Sequence, residues 1–126
     1  MSLQRVFFAF FVLLALSMNF GFFYGQIDNA IHHNLYELFG AIVINLIATI
    51  LKLGERSHFG SLMLASSLVA DVGLLAAAMV LGYANHVSGD VTPEFVAMAV
   101  SLSGGALVAN IVSVTLMVVE AATLRR

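Results

Sequence analysis

Asp71 stands in the middle of an apolar stretch, Ala65-Ser66-Ser67-Leu68-Val69-Ala70-Asp71-Val72-Gly73, inside a longer hydrophobic run over 59–84. A carboxylate at the centre of a membrane-spanning helix costs roughly 2.5–3.5 kcal/mol on translocon scales, so it must face protein or water and take a partner. Ser67 lies one helical turn earlier, on the same face. Two amides, Asn45 and Asn110, fall in the middle of other apolar runs, with the hydroxyls of Thr49 and Ser113 nearby in the chain. A carboxylate, two amides and several hydroxyls form an all-oxygen donor set, which suits a hard cation. Asp71, Asn45, Asn110 and Ser67 are therefore the expected binding site for an inorganic cation or a proton. The competing reading is structural: polar groups hydrogen-bonded between helices, each contributing about 0.6 kcal/mol.

A second cluster, Asp28, His32, His33, Tyr36 and Glu37, lies between the first two apolar runs. On a helix, Asp28, His32 and Tyr36 would share one face, and His33 and Glu37 another. Imidazole with carboxylate is acceptable to zinc or copper, and an unperturbed imidazole titrates at about pH 6.5, which suits a proton-sensing gate. Asp28, His32, His33 and Glu37 are thus the candidates for an outer-face gate or metal site, the metal itself being open. The competing reading is a solvated interfacial turn with its own ion pairs. His58 and His86 belong to opposite loops, so no histidine pair stands at mid-depth to ligate a haem. No cofactor is expected.

Other chemistries lack their residues. Cysteine is absent, which excludes disulfides, thiolate metal sites and thiol catalysis. There is no nucleophile–base pair, phosphate loop or metal-binding helix signature, so an enzyme is not expected. With 5 Lys and Arg and a formal net charge of -2, nucleic acid has no basic surface to meet.

The elements that must position these residues follow from composition. The 126 residues are 61% hydrophobic and 10% charged, whereas soluble domains average roughly 45–50% and about 25%. The excess points to lipid. A span needs about 20 mostly apolar residues, and 6–25, 36–53, 59–84 and 95–122 meet that need. The first run passes Ala15 and Ser17, small residues that could end a signal peptide, and continues through Phe20 to Tyr24, which predicts a retained helix. The expected fold is an all-α membrane protein with four transmembrane helices in one domain, 1–126. Thr92-Pro93-Glu94 has the form of a helix start, with Thr as cap and Pro at the first helical position.

Charge predicts the orientation. Arg5, Lys52, Arg56, Arg125 and Arg126 all fall in the termini or the middle loop, while the other two loops carry Asp28, Glu37, Asp90 and Glu94. The positive-inside bias puts both termini in the cytoplasm, with the chain in the plasma (inner) membrane.

The chain also matches itself. Gly40-Ala41-Ile42-Val43-Ile44-Asn45-Leu46-Ile47-Ala48 aligns with Gly105-Ala106-Leu107-Val108-Ala109-Asn110-Ile111-Val112-Ser113. Upstream, Leu13-Leu14-Ala15-Leu16-Ser17-Met18-Asn19-Phe20-Gly21 aligns with Leu74-Leu75-Ala76-Ala77-Ala78-Met79-Val80-Leu81-Gly82. Both helices of each half match in order, which predicts two duplicated two-helix hairpins in parallel orientation, about 6–53 and 59–122. Asn45 and Asn110 would be pseudo-symmetric partners, whereas Asp71 corresponds to Phe10 and lies outside the duplicated pattern.

Small residues bear on partners. Gly73, Ala77, Gly82 and Ala84, and Ser101, Gly104, Gly105 and Ala109, permit close helix approach. Some of these faces are expected to serve a homo-oligomer. Size and topology resemble the small multidrug exporters and the fluoride channels in architecture only, since the first span has no glutamate where the exporters carry one. The leading expectation is an oligomeric ion channel or ion-coupled transport protein in the lipid bilayer. The alternative is a non-catalytic accessory or assembly subunit of a larger membrane complex.

Overall fold

The structure, a computed structural model, describes residues 3–24, 35–54 and 58–124. These form four helices: α1 (Leu3–Phe23), α2 (Leu35–Lys52), α3 (His58–His86) and α4 (Pro93–Leu124). All four are long and apolar enough to cross a membrane. In lipid each backbone N–H and C=O must be satisfied internally, which the helix does within one segment. The single proline, Pro93, sits at the first position of α4 and breaks nothing. Thr92 caps that helix: the Phe95 amide donates to Thr92 Oγ1 at 3.3 Å and the Val96 amide to the Thr92 carbonyl at 3.1 Å.

Each helix packs against two neighbours in a ring: α1 on α2 and α4, α3 on α2 and α4, with the α3–α4 contact the most extensive. Chain neighbours run antiparallel. At one end the Tyr83 and Phe95 rings meet at 5.9 Å, and at the other Lys52 reaches Ser67 and Ser113. At about 1.5 Å per residue, α2 with 18 residues is about 27 Å long and α4 with 32 about 48 Å. Against a hydrocarbon core about 30 Å thick, α2 falls about 3 Å short while α3 and α4 run past its ends.

The larger apolar cluster joins Phe22, Leu38, Leu74, Leu81, Val96 and Val100 around small residues such as Ala70, Ala77 and Ala99. A smaller one gathers Val12, Ala15 and Ala48. The outward faces stay apolar: Phe10, Val72, Met79 and Val108 are all exposed. A helix that is hydrophobic all round, with only one stripe packed on protein, is what lipid contact requires. α1 buries only Val12, Ala15, Asn19 and Phe22.

Gly73 sets how closely α3 and α4 approach. A Cβ there would lie 3.0 Å from the Leu102 carbonyl oxygen and 3.2 Å from Ala106 Cβ. Backbone cannot step aside as a flexible side chain can. Gly73→Leu is expected to destabilise the protein by about 1–3 kcal/mol, the usual range for overpacking. Gly21→Ala, where an added Cβ meets nothing within 4 Å, should be close to neutral. Unfolding curves in mixed micelles measure both.

Candidate functional site

The interior is not uniformly apolar. Asn19, Asn45, Thr49, Lys52, Ser67, Asp71, Ser103, Asn110 and Ser113 are all buried. On α2 the buried stripe is Leu38, Ala41, Ile42, Asn45, Ala48, Thr49 and Lys52. This is the spacing of three and four that holds one helical face, and the stripe turns polar toward its C-terminal end. α3 faces it with Ser67, Ala70 and Asp71.

Asp71 stands at the midpoint of α3, 6% exposed. The Thr49 hydroxyl lies 2.6 Å from Asp71 Oδ2 and 2.9 Å from the Asn45 carbonyl oxygen. Asn45 spends its Nδ2 on its own helix, donating to the Ala41 carbonyl at 2.9 Å. Two acceptors are left over: Asn45 Oδ1 and Asp71 Oδ1 are buried and receive no hydrogen bond. A buried acceptor without a donor costs about 1–3 kcal/mol, more when it is charged. One hydroxyl joins the two residues that carry these oxygens. The arrangement can accept a proton, or offer oxygen ligands to a cation.

Lys52, expected in the middle loop, instead completes the site. It is the last residue of α2, 1% exposed. Its Nζ donates to Ser67 Oγ at 2.5 Å and to Ser113 Oγ at 3.1 Å. Ser113 also meets Ser66 Oγ at 2.6 Å, so α2, α3 and α4 are tied together at this point. The cause is helix geometry. A Cα–Cβ bond tilts toward its helix N-terminus, so a lysine in the last turn of α2 leans back into the span rather than out to the loop. Asp71, on the antiparallel α3, leans toward it. The signal was present in the sequence: Asn45, Thr49 and Lys52 stand four and three residues apart, on one face.

The other expected residues are distributed as follows. Ser67 is buried one turn from Asp71 and accepts from Lys52. Asn110 is buried and donates to Asn19 Oδ1 at 2.9 Å, while Asn19 Nδ2 donates to the Ser103 carbonyl at 3.1 Å. Asn110 thus belongs to an α1–α4 clamp. Asn19 was not singled out by its sequence, since only the placement of α4 reveals its role. Of the outer cluster, Asp28, His32 and His33 lie outside the described residues, and Glu37 is exposed in the first turn of α2. Among the described residues, no three His, Cys, Asp or Glu side chains come together as a metal site.

Residues 32–121 match a family described as "Family of unknown function (DUF6394)". The chain belongs to this family. The matched segment contains all of α2 and α3 and most of α4, so Asn45, Thr49, Lys52, Ser67, Asp71, Asn110 and Ser113 fall within it, while α1 and Asn19 precede it. No curated protein and no solved structure matches the chain significantly.

Proposed function

We propose that this member of the DUF6394 family is an ion channel or ion-coupled transport protein in which Asp71 binds a cation or proton midway across the bilayer. The observation that carries the reading is the pair of buried oxygens without donors, Asp71 Oδ1 and Asn45 Oδ1, on facing helices at mid-span. A protein that needed these groups only as helix ties would be expected to satisfy them. Intramembrane ionisable residues mark ion and proton pathways by default.

The working unit is a homo-oligomer. Gly82 and Gly105 support this, because an added Cβ at either meets nothing within 4 Å and such positions allow a second copy to approach closely. The two hairpins are duplicates in parallel orientation, and burial of both Asn45 and Asn110 supports their equivalence. The termini are cytoplasmic and the membrane is the plasma (inner) membrane. Arg5, Arg56, Arg125 and Arg126 support that orientation. Cysteine labelling checks it: Val87→Cys, at a position 70% exposed beyond α3, should react with an impermeant maleimide added outside intact cells. Ser57→Cys should react only after permeabilisation, and the reverse pattern would overturn the orientation.

The test of function is flux of Na+, K+ and protons into liposomes carrying the purified protein. Flux above protein-free vesicles supports the reading. Its absence from folded, oriented protein would replace the reading with that of an accessory subunit in a larger membrane complex.

A further inference from the structure

Lys52 asks for an explanation that a cation site at Asp71 does not by itself supply. A buried ammonium repels any cation that approaches the same carboxylate. Its own hydrogen-bond partners are two neutral hydroxyls, Ser67 Oγ and Ser113 Oγ, although taking a charge out of water is costly unless an opposite charge compensates it. The compensating charge is within reach. Ser67 and Asp71 are four residues apart on the same face of α3, a rise of about 6 Å at 1.5 Å per residue. The lysine stem has four flexible carbons, so moving from the hydroxyls to the carboxylate needs a change of side-chain rotamer and no movement of a helix. Thr49 occupies Asp71 Oδ2, while Oδ1 receives no hydrogen bond.

We propose that the Lys52 ammonium is a tethered cation that competes with the transported ion for the Asp71 carboxylate, with Ser67 and Ser113 as its alternative resting place. The inference rests on Asp71 being the cation site and adds how that site is regulated. An ion entering at Asp71 and Asn45 displaces Lys52 onto the two hydroxyls. When the ion leaves, Lys52 returns from the hydroxyls and neutralises the carboxylate. Ser67 then acts through Lys52, as a positioning residue rather than an ion ligand.

The experiment is equilibrium binding of radiolabelled sodium to the purified full-length protein in detergent, with LiCl and KCl as competitors and choline chloride holding ionic strength constant. A competitor that occupies the carboxylate nine-tenths of the time weakens ion affinity about tenfold. Lys52→Gln should therefore bind sodium about tenfold more tightly, and Lys52→Arg, which keeps the charge, should stay near the wild type. Ser67→Ala should weaken binding in the wild type by removing a resting place, and should change nothing in a Lys52→Gln background. A Lys52→Gln protein that binds no more tightly, while the wild type binds and Asp71→Asn does not, overturns the competition and leaves the Asp71 site standing. So does a Ser67→Ala effect of equal size in both backgrounds, which would make Ser67 a ligand. Should Lys52→Gln not fold, Ser67→Ala and Lys52→Arg still decide: unchanged affinity in Ser67→Ala overturns the competition. Binding by Lys52→Gln alone supports it, with Lys52 holding the wild-type site closed. Failure of wild type and Lys52→Gln alike to bind any of the three ions removes both the competition and the cation site.

Discussion

Asp71→Asn should reduce cation flux through reconstituted protein by about two orders of magnitude. Contacts to a charged group are worth about 1.5–3 kcal/mol each, and each 1.4 kcal/mol is about tenfold in an equilibrium constant. Asparagine keeps the size and an oxygen for Thr49 to donate to, and loses only the charge and one acceptor oxygen. Packing around Asp71 against Thr49 is therefore retained. Asp71→Glu keeps the charge on a longer stem and should retain part of the flux. The measurement is ion uptake by vesicles at matched amounts of folded protein. Wild-type flux that persists in Asp71→Asn would place the ion path elsewhere.

The second large effect concerns stability. Lys52 and Asp71 are opposite charges, both buried, on neighbouring helices α2 and α3. Removing one of two opposite buried charges leaves the other without its compensating charge, which is destabilising. Lys52→Gln and Asp71→Asn should each destabilise the protein, while the double variant should be more stable than the sum of the two losses predicts. A coupling of about 1–3 kcal/mol is expected, the range found for groups in one polar network. Unfolding in mixed micelles, performed in choline buffer so that no small metal ion substitutes for Lys52, gives the four values needed. Additive losses would mean that the two side chains do not sense each other. Adding sodium should restore stability to Lys52→Gln more than to the wild type, because a ligand that binds only the folded state stabilises it.

Much of this architecture was legible in the chain. The apolar runs 6–25, 36–53, 59–84 and 95–122 correspond to α1–α4 with ends that differ by at most three residues. The cap at Thr92 was legible for the same reason: it depends on residues within one turn of each other. Of the expected site residues, Asp71 and Asn45 meet on Thr49, and Ser67 joins through Lys52. Lys52 was masked by its type, because a lysine beside a loop normally reaches out toward water. Its spacing from Asn45 and Thr49 already put it on the buried face of α2, and packing of α3 and α4 decided only which partners it meets there, Ser67 and Ser113.

What the sequence by itself determined is local and compositional: four apolar helices, a single mid-span carboxylate on the third, and amides on the second and fourth. Helix formation in lipid depends on each segment satisfying its own backbone, so no knowledge of neighbours is needed. The tertiary structure decided which polar groups meet. Asn110 could have faced Asp71 and instead pairs with Asn19, across α1 and α4. Lys52, on the buried face of α2, could have met other groups and lies against Ser67 and Ser113. Those choices follow from how the four helices are rotated and staggered against one another. That is set by close contacts such as Gly73 on the Leu102 carbonyl, between residues distant in the chain and adjacent only once the helices have packed.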